Sequence, residues 1–189
     1  HQRVVLGREE VVEDQGPLDF EKAADYVRQA ADGLAHAHSK GMIHCDVKPS
    51  NLLVSQQGVI KVLDLGMSRL SQGQAKPDVA EPGAEQRVLG TVDYMAPEQA
   101  LGSAELDHRA DIYSLGCTFF YLLTGHAPFP EGSVHERIVK HQAQQPRSIV
   151  EERPDTPGEL ARICQKMMAK QPADRFQSAA EVSRALTQW

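Results

Sequence analysis

The sequence holds no apolar run long enough to cross a membrane. A spanning helix needs about 20 consecutive, mainly apolar residues, and the 189-residue chain contains no such stretch. Its first residues also lack the basic region and the apolar segment that together mark a secretory signal peptide. These absences predict a cytoplasmic protein with no membrane segment in this chain.

Cysteine and aromatic residues are scarce. The three cysteines, Cys45, Cys117 and Cys164, are odd in number and far apart in the sequence. This pattern disfavours a disulfide framework and a zinc site with four ligands, and a reducing compartment is the expectation for such a chain. Aromatic residues make up 5% of the chain, so we expect helices that pack mainly through alanine, leucine and valine.

Positive charge is also in short supply. Lys and Arg together number 20 against 26 Asp and Glu, which gives a formal net charge of −6. A protein that binds the phosphate backbone of a nucleic acid shows clustered positive charge, so no nucleic-acid partner is expected. With 41% hydrophobic and 24% charged residues, the composition is that of a globular domain.

Apolar periodicity and capping residues predict a mainly helical chain. Apolar residues recur every three or four positions from Phe20, with Asp19 as the N-cap and Gly41 as the stop. A second helix, apolar on most sides and therefore central, is predicted from Asp107 to Leu123. Capping boxes predict three further helix starts: Ser133 with Glu136, Thr156 with Glu159 and Pro157 at the first helical position, and Ser178 with Glu181.

Short strands and loops are predicted for the remaining segments. Apolar runs at 42–44, 52–54 and 60–63 predict small strands. Residues 71–86, which combine Gly, Pro, Gln and acidic residues, predict an exposed, mobile loop. Residues 3–14 are compatible with a short helix.

One octapeptide carries the candidate chemistry. Residues 44–51, HCDVKPSN, place Asp46 five positions before Asn51 on a strand-flanked turn, and this spacing resembles the catalytic loop of protein kinases. The resemblance implies that Asp46 is the catalytic base and that Lys48 neutralises charge on the transferred phosphoryl group. The Asp-x-Lys spacing resembles the serine/threonine branch of the family.

The same resemblance implies a site for nucleotide and metal. Asn51, and Asp64 in the triplet DLG, would bind Mg²⁺, with Mn²⁺ as a possible substitute. Leu53 would lie beneath the adenine of ATP, and His44 would have a structural role. Taken alone, an Asp or Asn in a turn is usually a cap of the backbone; the conjunction of the octapeptide and the triplet favours the kinase interpretation.

A further motif, GTVDYMAPE at residues 90–98, resembles the end of the kinase activation segment, here residues 64–98. The resemblance implies three sets of contacts: Thr91 with Asp46 and Lys48, Glu98 with Arg175 in a bidentate ion pair, and Asp111 with backbone amides of the catalytic loop.

The motifs occur in order from residue 44 to residue 176, and the resemblance covers the chain from about Leu18. It implies an α+β, mostly α fold in which residues 1–189 form the large helical C-lobe of a kinase catalytic domain, with a few short strands. The segments MAPEQ and AHSKG are similar to the eukaryotic-like kinases of bacteria. No Gly-x-Gly-x-x-Gly loop and no strand Lys with its helix Glu partner precede residue 18. We therefore expect the N-lobe to be absent from this chain, which should bind nucleotide weakly by itself.

The implied function is transfer of the γ-phosphoryl group of ATP to Ser or Thr hydroxyls of protein substrates, with the missing N-lobe needed for full activity. The main alternative is an inactive, truncated or pseudokinase lobe that serves as a protein-interaction module. The enzyme is favoured by the joint presence of Asp46, Lys48, Asn51 and Asp64, because a binding module has no chemical need for these residues. An unrelated helical ligand-binding domain would have to treat every motif as a turn or a cap.

Two positions depart from the family pattern. Cys45 stands where many kinases have an Arg that grips a phosphorylated activation segment, so the catalytic loop is of the type without that Arg. Leu65 replaces the Phe of the metal-binding triplet, a change that conserves volume and polarity. From Cys45 we expect activation that does not require phosphorylation of the activation segment.

Replacing Ser68 and Ser71 together by Ala should leave most of the kinase activity of the full-length protein. Between Asp64 and Glu98 the Ser and Thr residues are Ser68, Ser71 and Thr91. Thr91 is already assigned a structural contact, so Ser68 and Ser71 are the remaining candidates for phosphorylation. Phosphate transfer to a protein substrate is the measurement, and Thr91→Ala is the companion variant expected to lose activity. A large loss in the double-Ala variant would overturn this expectation.

Overall fold

A computed structural model describes residues 10–11, 17–63, 69–70, 91–102 and 106–189. These residues form a mostly helical protein with a few short strands, as the sequence predicts. The helices are α1 Phe20–Ser39, α2 Pro97–Ala100, α3 Arg109–Thr124, α4 Val134–Ala143, α5 Ile149–Glu152, α6 Gly158–Met167 and α7 Ala179–Gln188, with 3₁₀ turns at Pro49–Asn51 and Pro172–Asp174. The strands are β1 Glu10–Val11, β2 Met42–Ile43, β3 Leu52–Val54, β4 Ile60–Val62 and β5 Arg69–Leu70.

Helix α3 lies at the centre of the core. It is buried on nearly every side, and it packs against α1 and α6, while α1 also packs along α7. Helix α1 begins as its sequence predicts, because the Asp19 carboxylate accepts a hydrogen bond of 2.8 Å from the Lys22 amide. It ends before Gly41, whose φ of 73° is readily adopted by glycine.

Two small sheets frame the segment between α1 and the later helices. The order β1-β3-β4 makes an antiparallel three-stranded sheet, and β2 pairs with β5 in a second sheet. The strand predicted at 52–54 is present with those bounds, and the strands predicted at 42–44 and 60–63 are each present but one residue shorter. Residues 44–51 therefore leave one sheet at β2 and enter the other at β3.

Some local predictions fail. In the segment 3–14, the described residues Glu10 and Val11 form a strand paired with β3 rather than a helix. Thr156 does not cap α6, which begins at Gly158 with Pro157 as its N-cap. The Thr156 side chain is buried instead, and no described residue bonds its hydroxyl.

The remaining capping predictions hold to different degrees. Ser133 and Glu136 exchange both bonds of a capping box at the start of α4. At α7 the Ser178 hydroxyl accepts from the Glu181 amide, but the Glu181 carboxylate bonds the Gln177 amide, so the box is only half formed. The predicted loop at 71–86 lies outside the described residues. Within the described ranges, no helix has both the length and the apolar character needed to span a bilayer.

Gly116 allows the close approach of α3 and α6. A Cβ added at this position would lie 2.8 Å from Met167 Cβ and 2.9 Å from Met168 Cγ. Both distances are shorter than ordinary contacts between carbon atoms. The backbone carbon of Met167 would be 3.3 Å away. Since a backbone atom moves only with its helix, a side chain here would push the two helices apart.

Gly116→Ala should lower the free energy of unfolding by about 1–3 kcal/mol, because overpacking outweighs the gain of about 1 kcal/mol in helix propensity. Gly158→Ala is the matched control, since nothing lies within 4 Å of a Cβ at that position and the gain in propensity remains. Urea unfolding of both variants measures the difference. Equal stability of Gly116→Ala and wild type would show that α3 and α6 are not in this contact.

Candidate active site

The buried carboxylate of Asp111 shapes the loop at 44–51. Its Oδ2 accepts the His44 amide at 2.8 Å, and its Oδ1 accepts the Cys45 amide at 2.8 Å. Cys45 has a φ of 66°, a left-handed conformation that is uncommon for a residue with a side chain. The two bonds from one carboxylate hold the backbone through this strained residue.

His38 is a partner of Asp111 that the sequence analysis did not identify. Its Nε2 lies 2.8 Å from Asp111 Oδ2, although the two residues are far apart in the chain. No local signal in the sequence identifies this contact, because it depends on how α1 crosses the start of α3.

His44 is fully buried and links the loop to the end of β4. Its Nε2 lies 2.6 Å from the Leu63 carbonyl, which can only accept, so Nε2 carries the hydrogen. Its Nδ1 accepts the Asp46 amide at 3.2 Å. Both ring nitrogens are thus used by a neutral imidazole, and the second of these bonds orients the backbone of Asp46.

Asp46, Lys48 and Thr91 meet in a triangle of side chains. Lys48 Nζ lies 2.9 Å from Asp46 Oδ2 and donates to Thr91 Oγ1 at 3.0 Å. The Thr91 hydroxyl in turn donates to Asp46 Oδ1 at 3.0 Å. The carboxylate and the ammonium are mostly shielded from solvent, with side-chain exposures of 11% and 13%, which strengthens their interaction.

Asn51 closes the loop over Asp46. Its amide nitrogen donates to the Asp46 carbonyl at 2.7 Å and to Asp46 Oδ2 at 3.0 Å. Both bonds come from the nitrogen, so the Asn51 carbonyl oxygen is the atom left to bind a cation. Leu53, the next candidate, is a partly exposed residue of β3 paired with Val11 and Lys61.

The donor set fits a hard cation such as Mg²⁺, which prefers oxygen ligands and takes few of them from the protein. Asn51 supplies one such oxygen, and its amide nitrogen holds the side chain against the Asp46 carboxylate. Asp64 lies outside the described residues. Across the described ranges, this site included, no cluster of three or more His, Cys, Asp or Glu side chains could hold a metal ion.

Arg175 anchors the segment that follows Thr91. Its guanidinium forms a bidentate pair with Glu98 at 2.6 and 2.8 Å. The remaining N–H groups donate to the carbonyls of Ala169, Arg109 and Lys170. Every N–H of this fully buried cation is therefore satisfied, which is the condition under which a buried charge is tolerated.

Gln99 is another contact that the sequence analysis missed. Its carbonyl oxygen accepts the Ala96 amide at the start of α2, and its amide nitrogen donates to the Cys45 carbonyl at 2.9 Å. Helix α2 is thus fastened to the loop that carries Asp46. Together with Thr91, Gln99 joins two segments that are separated in sequence into one site.

The chemistry available to this site follows from its groups. A shielded carboxylate can take a proton from a hydroxyl that approaches it, a neighbouring ammonium can neutralise anionic oxygens, and an amide oxygen can bind a cation. The site brings together Asp46, Lys48, Asn51 and Thr91 from among the predicted residues. His44, Glu98, Asp111 and Arg175 surround them in supporting positions.

Comparison with known proteins gives a single answer. The protein kinase domain family matches residues 5–186. Serine/threonine-protein kinase PknB of Mycolicibacterium smegmatis is 35% identical over 173 residues, covering 92% of this chain and 27% of that protein. PknB of Mycobacterium tuberculosis is 34% identical with the same coverage.

A probable serine/threonine-protein kinase of Clostridium perfringens, CPE1738, is 35% identical over 92% of this chain and 24% of its own length. The chain thus spans about a quarter of the length of these relatives. The predicted resemblance to bacterial serine/threonine kinases is confirmed. Since the family matches nearly the whole chain, the chain belongs to the protein kinase domain family.

Proposed function

We propose that this chain is the catalytic C-lobe of a kinase that transfers the γ-phosphoryl group of ATP to Ser or Thr hydroxyls of protein substrates. The observation that carries the proposal is the triangle of Asp46, Lys48 and Thr91, with contacts of 2.9 to 3.0 Å. Asn51 lies against the same carboxylate. A base, a cation and an amide oxygen for a metal are among the groups that phosphoryl transfer to a hydroxyl uses.

In the proposed reaction Asp46 accepts the proton of the substrate hydroxyl while the hydroxyl oxygen forms a bond to the γ-phosphorus. The bond from that phosphorus to the β-phosphate oxygen breaks, and ADP leaves. Lys48 faces the developing negative charge, and its contact with Thr91 keeps the ammonium in place. Thr91 also orients the Asp46 carboxylate toward the acceptor.

A divalent metal, when bound, neutralises phosphate charge. We propose that Asn51 holds it through its carbonyl oxygen and that Asp64 is the second protein ligand, for Mg²⁺ or Mn²⁺. Leu53 would support the adenine ring. Asp64 lies outside the described residues, so the support for its role is its position in the DLG triplet.

Full activity requires groups that this sequence does not contain. A Gly-rich loop and a Lys on a strand hold the phosphates in protein kinases, and neither motif precedes residue 18. We propose that the chain works together with an N-lobe and phosphorylates protein substrates in the cytoplasm. Alone it should bind nucleotide weakly.

A protein-interaction module without catalysis is the second candidate. The sequence feature that favours it is the same lack of phosphate-holding motifs. The geometry favours the enzyme, because Asp46, Lys48 and Asn51 keep contacts that serve transfer and contribute little to a docking surface.

Asp46→Asn in the full-length protein should lower phosphate transfer by about 10²–10⁴-fold, the range contributed by a general base, while the protein stays folded. Transfer from labelled ATP to a protein substrate measures the rate, and circular dichroism tests the fold. Asp155→Asn is the matched control, since that carboxylate is on the surface with 70% of its side chain exposed. Undiminished transfer in Asp46→Asn would refute the assigned base and favour the interaction module.

A further inference from the structure

A largely buried ion pair fastens the segment that carries Thr91 to helix α4. Arg137 Nη1 lies 2.5 Å from Asp93 Oδ1, and the two side chains are 11% and 20% exposed. Burial raises the pKa of the Asp93 carboxyl, and the charge of Arg137 opposes that rise. The pair therefore offsets part of the cost of removing both charges from water.

Backbone hydrogen bonds close a turn around Asp93. The Tyr94 amide donates to the Thr91 carbonyl at 3.2 Å, and the Met95 amide donates to the Val92 carbonyl at 3.3 Å. Val92 and Tyr94 are buried on either side of Asp93. A constraint applied at Asp93 is thus passed to Thr91 through a closed turn of backbone.

Helix α4 is itself held to the core one turn beyond Arg137. His141 is buried, and its Nδ1 lies 2.9 Å from the hydroxyl of Tyr113 on α3. Its ring also meets the Phe129 ring edge to face, with centroids 4.9 Å apart. Burial lowers the pKa of His141 to about 3, so the ring is neutral near pH 7 and packs without a charge.

We infer that Asp93 and Arg137 are positioning residues, which hold Thr91 against Asp46 and Lys48 and so set the geometry of the phosphoryl acceptor. This inference rests on the proposed kinase function. The series of contacts that holds Thr91 runs from α3 through His141 and α4 to the ion pair. From Asp93 it continues through the turn to the Thr91 hydroxyl.

Breaking the ion pair should misalign Thr91 and the acceptor hydroxyl without removing a group that reacts. Misplacing reacting groups by about 1 Å can cost about 10²-fold in rate. ATP binding does not use the Asp93–Arg137 pair in the proposed reaction. Disrupting the pair should therefore weaken use of the protein substrate and leave the use of ATP intact.

The test uses the full-length protein with dephosphorylated casein as the acceptor. Arg137→Met should lower kcat/KM for casein by about 10–100-fold, with KM for ATP changed by less than about twofold. Arg137→Lys, which keeps the charge, should recover most of the loss. Arg28→Met is the control, because Arg28 forms ion pairs with Asp25 and Asp32 on the surface of α1.

A second readout does not depend on catalysis. Hydrogen exchange at the Tyr94 and Met95 amides should be faster in Arg137→Met than in wild type, and unchanged in Arg28→Met. If Arg137→Met does not fold, the double variant Asp93→Asn/Arg137→Met, which removes both charges, is used in its place in each assay. The double variant should remain impaired even where its stability recovers.

Distinct results would overturn the inference and the proposed function. Casein kinetics unchanged in Arg137→Met, or a loss that is equal for ATP and casein, would contradict the positioning role. Unchanged exchange at Tyr94 and Met95 would contradict it as well. A wild-type protein that transfers no phosphate would instead refute the proposed function, and the exchange measurement would still decide whether the ion pair holds the segment.

Discussion

The site depends on one carboxylate that is removed from water. Asp111 is fully buried, and an unpartnered charge in that position would cost several kcal/mol. It lies in the first turn of α3, where the partial positive charge of the helix N-terminus favours an anion. The amides of His44 and Cys45 and the ring of His38 supply the remaining compensation.

This arrangement explains how Cys45 keeps an uncommon backbone conformation. A left-handed φ costs energy in a residue with a Cβ. Such a conformation persists where hydrogen bonds from the surrounding structure hold the residue in place. The Cys45 amide is held by Asp111 and the Cys45 carbonyl by Gln99, so both ends of the residue are fixed. In this loop, hydrogen bonds from the Cys45 amide to the Asp111 carboxylate and from the Gln99 amide to the Cys45 carbonyl act at the position where the resemblance implies an Arg in many kinases. In the described residues, the loop at 44–51 is thus shaped by hydrogen bonds to Asp111 and Gln99.

The sequence reveals local features of this fold more readily than contacts between distant segments. Asp19 and Ser133 act within a single helical turn, so their capping roles could be predicted. The spacing within residues 44–51 predicted a loop in which Asp46, Lys48 and Asn51 lie together, and they do. His38, Gln99 and Arg137 contact residues that only the tertiary fold brings near, and nothing in their local sequence indicates those partners. The Ser/Thr-x-x-Glu pattern at Thr156 was misleading because it is local: α6 begins at Gly158 with Pro157 as its N-cap, and the Thr156 side chain is buried.

The most direct test of this account is hydrogen exchange at the His44 and Cys45 amides in protein that carries no phosphate. Both amides should be strongly protected in wild type. Asp111→Asn should speed their exchange by about 10–100-fold, since a hydrogen bond to a charged group contributes about 1.5–3 kcal/mol, with amides of α7 much less affected. Weak protection in wild type, or the same protection in both proteins, would contradict the claim that a buried carboxylate shapes the catalytic loop.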